Sequence, residues 1–397
     1  MNDDFDCQYE ILLKLLKTSM FGIDTAIDFS NIDLFNVFKE AKKQTVVAHT
    51  FVNLPPEAKE TALDVYKEWE NLSFSIIQNN YKLLNANVEL DKLLENAFIP
   101  HCTLKGFASA HYYEKPYLRQ MGDIDLLVSD KDINRTISLL ESSGYTCVDV
   151  NRTHEFHIAF KKNKILYEIH TNIVELSDSD FAIDEIIKDI IPNSQKITSE
   201  LGEICIPNRV GHAIIMLLHL RRHMRDGDGI GLRHFCDWAA LANTISDDDW
   251  VSKFEPILTK IKIKSMAMAF SKAAHLLLEM PEKEWFKNYD NNIASQLIND
   301  ILSGGNFGRF DANRQKQKLF IDGRNNTITS LFRRFFQNVY CWQPFFKTHK
   351  IFLPVGSLIY FFRTITLVIL GKRYRISFSD VKDGVQRSQL YNELFKY

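Results

Sequence analysis

The chain has 397 residues, more than one compact hydrophobic core usually holds, so its length predicts two or three structural units. With 45% hydrophobic and 25% charged residues, its composition is that of an ordinary globular protein. A formal net charge of −2 excludes a polycation that binds nucleic acid through bulk charge, and we expect no DNA partner. The six cysteines form no C-x-x-C pair and the acidic start MNDDFDCQYE is no signal peptide, so we predict reduced thiols in a cytoplasmic protein.

Periodic patterns divide the chain into four regions. Apolar residues at helical spacing predict an N-terminal helical region over residues 1–98. Residues 99–175 alternate short apolar strands with helices in the order β-α-β-α-β-β-β, which predicts a small α/β core. Helical patterns return in residues 176–304, and residues 305–397 form a basic, aromatic and helical C-terminal region. The sequence therefore predicts an α+β fold.

Two aspartates open the strand DIDLLV of the α/β core. Successive side chains of a strand alternate between its faces, so Asp123 and Asp125 share one face, while Ile124, Leu126 and Val128 share the face that can enter a core. Two carboxylates at a strand end offer the oxygen ligands that hard cations prefer. The pair is a candidate metal centre for nucleotidyl transfer, provided that the rest of such a site is present.

A third carboxylate lies on the later strand ILYEIHTNI. Glu168 shares its face with Leu166, His170 and Asn172, and a strand of the same sheet can bring it beside the two aspartates. Three acidic groups can hold two metal ions, one on a triphosphate and one that lowers the pKa of an attacking hydroxyl.

These residues form a pattern with a known counterpart. The run K-G-(x)n-R-x-x-x-D-x-D-L-L-V, followed about 40 residues later by an E-h-H strand, resembles the bacterial uncharacterised nucleotidyltransferase family of the DNA polymerase β superfamily. Downstream, GIGLRHFCDWAAL (229–241) resembles the helical-domain motif of that family and HLRRH (219–223) the helix before it. The opening YEILLKLLKTSM is similar to the start of the family, so the resemblance spans most of residues 8–245.

The resemblance implies a fold and a set of metal ligands. The fold is a small polymerase-β-like nucleotidyltransferase mixed sheet, flanked by N-terminal helices and a large C-terminal helical region. Asp123, Asp125 and Glu168 would be the catalytic carboxylates and the ligands of a two-metal Mg²⁺ site, with a nucleoside triphosphate as substrate.

The resemblance also implies a phosphate-binding turn at Lys105 and Gly106, where backbone N–H groups at a helix start attract anions. Better-characterised superfamily members have Gly-Gly or Gly-Ser here, with a shorter gap to the aspartates. This chain has Phe107 after the glycine and a gap of 17 residues. Ser109 can replace the lost hydroxyl, and Arg119 can grip a triphosphate through two N–H groups.

Two further positions are candidates for nucleotide contact, and each has a structural alternative. His170 either binds substrate or caps its strand face. Arg233 either faces the cleft, together with Asp237, or forms an intrahelical ion pair with Asp237 four residues later. His219 and His223 are also four residues apart, but no third ligand is evident, so we favour a structural role or a phosphate or base contact over zinc.

The function that the sequence favours is transfer of a nucleoside monophosphate from a nucleoside triphosphate to an unidentified acceptor, which is a small molecule, a saccharide or a protein. Two alternatives stay open. One is a non-catalytic nucleotide-binding or interaction module on the same fold, which the altered glycine turn would permit. The other is an antitoxin-like enzyme that nucleotidylates a protein partner.

The C-terminal region contains the apolar run IFLPVGSLIYFFRTITLVIL, residues 351–370. Pro354 and Gly356 interrupt its start and Arg363 lies at its middle, so the uninterrupted part is shorter than the roughly 20 residues that a bilayer span needs. We predict a closing helix packed on the helical domain, with its charges solvated. Weak contact with an anionic membrane surface is the first alternative, and RNA stacking the second.

Overall fold

The computed structural model describes residues 3–23, 27, 32–148, 157–173, 181–225, 229–308, 314, 335–336, 338–369 and 378–395. Its N-terminal part is helical, as predicted. The helices are α1 (Asp3–Phe21), α2 (Leu34–Gln44), α3 (Val47–Phe51), α4 (Pro56–Thr61) and α5 (Leu63–Asn96). The carboxylate of Asp33 caps α2 by accepting the backbone N–H groups of Phe35 and Asn36.

The α/β core follows the predicted element order. It comprises β1 (His101–Thr103), α6 (Phe107–Ala110), β2 (Ile124–Val128), α7 (Ile133–Ser142), β3 (Thr146–Cys147), β4 (His157–Lys162) and β5 (Ile165–His170). The five strands lie in the order β1-β2-β5-β4-β3, and β2 and β5 are parallel, while the other pairs are antiparallel. Parts of two predicted strands, residues 149–156, lie outside the described residues. The α+β prediction with a mixed sheet is confirmed.

Downstream of the sheet the chain is again mainly helical. Its elements are α8 (Phe181–Ile190), β6 (Gln195–Ser199), β7 (Gly202–Ile206), α9 (Arg209–Arg225), α10 (Leu232–Asn243), α11 (Asp247–Asp249), a π-helix (Trp250–Phe254), α12 (Glu255–Lys260), α13 (Lys264–Leu278), α14 (Glu284–Lys287) and α15 (Asn291–Gly304). The helical pattern predicted for residues 176–304 did not include the β6–β7 hairpin.

The remaining elements lie near the C-terminus. They are α16 (Phe345–Thr348), α17 (Leu353–Ile369) and α18 (Phe378–Leu394), with 3-10 turns at Pro116–Leu118, Asn306–Gly308 and Lys350–Phe352. Side chains near the end of α18 belong to the largest core cluster. The prediction that the apolar run packs as a closing helix is wrong, because most of its large side chains on α17 are exposed.

Strand β2 is buried on both faces, and this fixes where its aspartates point. Ile124, Leu126 and Val128 belong to a cluster with the end of α5 and with α7. Leu127, on the opposite face, belongs to the large cluster formed with the N-terminal helices, α9, α10 and α13. Because Asp125 alternates in phase with Leu127, its carboxylate faces the helical part of the molecule. The candidate site therefore lies between the sheet and the helices.

Candidate active site

Three carboxylates meet where β2 and β5 run side by side. Asp125 is directly opposite Glu168 in the parallel ladder, and Asp123 precedes β2 by one residue. One carboxylate oxygen from each residue lies within 4.8 Å of the others. Residues in register on neighbouring parallel strands present their side chains to the same face of the sheet, so the ladder brings Asp125 and Glu168 together.

The two aspartates are held in opposite electrostatic states. Burial and the nearby charge of Asp125 raise the pKa of Asp123 to about 6. Burial also opposes ionisation of Asp125, which is only 2% exposed, but two cationic groups outweigh it and hold its pKa below the usual range. Lys105 Nζ and His170 Nε2 each lie 2.9 Å from Asp125 Oδ1. Asp125 is therefore the permanent anion of the pair.

Two histidines adjoin Glu168. His170 Nε2 lies 3.6 Å from Glu168 Oε2, and this contact lowers the pKa of the Glu168 carboxyl. His157 Nε2, on the neighbouring strand β4, lies 3.9 Å from Glu168 Oε1. His157, Glu168 and His170 thus form a second group whose ligand atoms lie within 4.8 Å of one another. His170 links the two groups because it contacts both Asp125 and Glu168.

The donor set fits a hard divalent cation. Asp123, Asp125 and Glu168 supply closely spaced carboxylate oxygens, which is the ligand chemistry of magnesium. Burial and the charge of Asp125 together raise the pKa of Asp123, and a bound cation would relieve the repulsion between the carboxylates.

We predict that divalent-metal affinity depends on pH through Asp123. Its pKa of about 6 lies above the ordinary value, so below pH 6 the carboxyl is protonated and a cation must displace the proton. Affinity for Mn²⁺ is expected to fall about tenfold for each pH unit below 6 and to level off above pH 7. Electron paramagnetic resonance titration of Mn²⁺ between pH 5 and 8 measures this. Equal affinity at pH 5 and pH 7 would contradict it, and Glu141→Gln, remote on α7, is the control.

A cavity of about 450 Å³ lies between the start of β2 and helices α9 and α10. Seven of the residues predicted for the site line it: Lys105, Gly106, Ser109, Arg119, Asp123, Asp125 and Arg233. Glu168 and His170 are not among the lining residues and adjoin the cavity through Asp125.

The glycine turn is tied to the aspartate strand. Gly106 precedes α6 with a φ of +63°, and a Cβ at this position would lie 3.5 Å from the backbone oxygen of Asp123. The backbone N–H of Leu104 donates to the Asp125 carbonyl at 2.9 Å. A left-handed backbone favours glycine, so the turn needs this residue type for its shape. The ammonium of Lys105 is directed at Asp125.

Arg119 is held by a carboxylate from the helical region. Its Nε and one Nη each donate to Asp237 at 2.6 Å, and the hydroxyl of Tyr113 donates to the same carboxylate at 2.7 Å. All three side chains are buried. The alternative of an intrahelical Arg233–Asp237 pair is wrong, because Asp237 turns to Arg119 instead. This contact joins the segment before β2 to α10, and it engages the N–H groups that a phosphate clamp would use.

Arg233 differs from Lys105 and Arg119, which are each paired with an aspartate. Its two Nη atoms contact the backbone oxygen of Gln120 at 3.4 Å and Nε2 of His234 at 3.1 Å. Among the described residues no carboxylate forms a salt bridge with it, and burial lowers its pKa to about 10. A guanidinium of this kind beside a cavity is a ready partner for an anion.

Several cavity residues escaped the sequence analysis. His234 and Phe307 both line the cavity, and their ring centroids are 4.8 Å apart. They come from distant parts of the chain. His234 lies within the quoted motif of residues 229–241 but was given no role, and no local pattern marks Phe307. His157 was missed although a signal existed. The polar residues 162–164 between the two strands are typical of a turn, and a hairpin closed there pairs His157 with His170, as the structure shows.

Sequence comparison relates this site to a known protein family. A search of curated proteins finds no match. The sequence model of the family described as uncharacterised nucleotidyltransferase matches residues 30–279, a range that contains the three carboxylates, the glycine turn and Arg233. The match covers more than half of the chain and confirms the resemblance seen in the motifs, although it begins and ends later than residues 8–245. The chain belongs to the uncharacterised nucleotidyltransferase family.

Proposed function

We propose that the protein is a magnesium-dependent, cytoplasmic enzyme that transfers a nucleoside monophosphate from a nucleoside triphosphate to an acceptor. The observation that carries this proposal is the meeting of three carboxylates beside a cavity that also exposes Lys105 and the carboxylate-free Arg233. Membership of a nucleotidyltransferase family supports a nucleotidyl-transfer role and a nucleoside triphosphate as substrate.

In the proposed reaction an acceptor oxygen attacks the α-phosphorus, the bond to the β-phosphate breaks and pyrophosphate leaves. Asp123, Asp125 and Glu168 would hold magnesium, which supplies charge neutralisation and lowers the pKa of the acceptor hydroxyl. Lys105 and Arg233 would bind the β- and γ-phosphates. Lys105 donates a hydrogen bond to Asp125 in the structure. A cation bound to Asp125 would release the Lys105 ammonium to bind phosphate.

Replacing Arg233 is expected to weaken triphosphate binding selectively. Charge-assisted hydrogen bonds contribute about 1.5–3 kcal/mol each, so Arg233→Ala should lose roughly ten- to a hundredfold in triphosphate affinity. Lys105→Ala should do the same, while monophosphate affinity changes far less because the contacted groups are missing. Calorimetry with both ligands measures this, with exposed Arg135→Ala on α7 as the control. Equal losses for monophosphate and triphosphate would remove these residues from the phosphate site.

Transfer itself is tested with two forms of one triphosphate, labelled at the α- or the γ-phosphate. The protein is incubated with magnesium and with pools of small molecules, saccharides or proteins. The proposal expects the α label alone to move to an acceptor as pyrophosphate is released. Transfer to protein alone would select the antitoxin-like reading. Magnesium-dependent binding without movement of either label would select the binding module and overturn the proposed enzyme.

Glu168→Gln separates catalysis from binding in the same assay. If Glu168 positions the acceptor hydroxyl through the metal, we expect turnover to fall at least about a hundredfold while triphosphate affinity changes less than about threefold. Equal losses of turnover and affinity would mean that Glu168 contributes only to substrate binding. Full activity would remove it from the site.

A further inference from the structure

The C-terminal region carries an apolar surface that the described residues of the chain leave uncovered. The segment Lys350–Leu367 has the apolar composition of a membrane helix, and only 11% of it is buried. More than half of the exposed large apolar side chains among the described residues lie between residues 345 and 369. Seven of them are at least half exposed: Ile351, Phe352, Val355, Leu358, Phe361, Phe362 and Ile369. Large exposed apolar patches of soluble proteins mark interaction sites.

The side of α17 opposite this surface packs against aromatic residues. Tyr360 on α17 is buried, and its ring lies 5.7 Å from those of both Phe335 and Trp342. At Gly356 a Cβ would lie 2.7 Å from the ring of Phe346, so α16 and α17 pack closely. One side of α17 is thus fixed on an aromatic base while the other presents apolar groups outward. The exposed surface is a defined face of a folded unit.

The charge of this region is opposite to that of the remaining chain. Residues 323–379 contain nine lysines and arginines and no aspartate or glutamate, although the whole chain has a net charge of −2. Lys347, Lys350 and Arg363 are exposed close to the apolar face. Apolar side chains framed by basic ones are the chemistry that binds an anionic lipid surface.

We propose that α17 lies in the interface of an anionic lipid bilayer, with Phe361, Phe362 and their apolar neighbours inserted and the basic side chains at the headgroups. An interfacial position fits better than a span. A helix of 17 residues is about 25 Å long, shorter than a hydrocarbon core of roughly 30 Å, and a span would carry Arg363 into it. The surface lies outside residues 30–279, so it is a property additional to the nucleotidyltransferase part.

Flotation of the full-length protein with lipid vesicles tests this proposal. Vesicles of phosphatidylcholine with added phosphatidylglycerol should bind at least about tenfold more protein than phosphatidylcholine alone, and high salt should release part of it. The double variant Phe361→Ser/Phe362→Ser should lose at least about tenfold in binding. Phe74→Ser, at an exposed phenylalanine of α5, should bind as the native protein does.

A second variant guards against misfolding. Lys347→Glu/Lys350→Glu changes only exposed side chains and should reduce binding to the anionic vesicles while triphosphate affinity is retained. Three results would overturn the proposal: no vesicle binding by the native protein, binding that both double variants retain, or resistance of the bound protein to alkaline extraction, which indicates a span. Self-association that the phenylalanine variant abolishes, without vesicle binding, would assign the surface to a second copy of the chain.

Discussion

Asp125→Asn is expected to lower nucleotidyl transfer at least about a thousandfold, the largest effect on activity of any single replacement in the site. A metal ion supplies several kcal/mol of charge stabilisation, and each factor of ten in rate corresponds to about 1.36 kcal/mol. Asp125 is a buried carboxylate whose pKa lies below the usual range, and an amide keeps its shape without its charge. Asp123→Asn should also lower the rate of nucleotidyl transfer. Pyrophosphate release under saturating magnesium and triphosphate is the measurement.

The matched control for this replacement is Asp130→Asn, at an exposed aspartate just beyond β2. It removes the same charge and keeps the same shape, so it should turn over within about twofold of the native protein. Circular dichroism should show intact secondary structure in all three variants. Activity of Asp125→Asn close to that of Asp130→Asn would exclude Asp125 as a metal ligand.

Arg119→Ala is expected to have the largest effect on stability. Removing one partner of a buried ion pair leaves the other charge uncompensated, which costs about 3–5 kcal/mol. Arg119 and Asp237 are both buried, their two contacts measure 2.6 Å, and Tyr113 loses no bond in this variant. The free energy of unfolding in urea, followed by tryptophan fluorescence, should fall by this amount. Asp237→Ala should fall as far.

The double variant Arg119→Ala/Asp237→Ala shows whether the loss of stability comes from the interaction between the two side chains. It leaves no unpaired charge, so its loss of stability should be clearly smaller than the sum of the two single losses. Strictly additive losses would contradict a direct coupling. If Arg119→Ala instead keeps its stability and loses only triphosphate affinity, the arginine is a phosphate clamp, as the motif alone indicates.

The sheet and the proximity of the carboxylates were predictable because both follow from the two-residue alternation of side chains along a strand. Alternation in DIDLLV and ILYEIHTNI places Asp125 and Glu168 on defined faces, and the parallel ladder then aligns them. The end of α7 is also encoded locally, because the residue in the left-handed conformation that ends it is a glycine, Gly144, with a φ of +82°. Information of this kind lies within a few residues and can be read from one sequence.

The partner of Arg119 could not be predicted in this way. Asp237 is 118 residues away, and only the packing of α10 against the segment before β2 brings the two together. The position of α17 was misjudged for a different reason. An apolar run of this length has the same composition whether it is buried in protein or faces lipid, and periodicity does not separate the two cases. Its exposure is decided by what packs against it.

The central claim is that the three carboxylates form a metal-dependent triphosphate site, and calorimetry of a non-hydrolysable nucleoside triphosphate tests it most directly. The native protein is titrated with and without magnesium, and Asp125→Asn with magnesium. We expect measurable binding only for the native protein with magnesium. Equal affinity without magnesium, or equal affinity of Asp125→Asn, would contradict the claim.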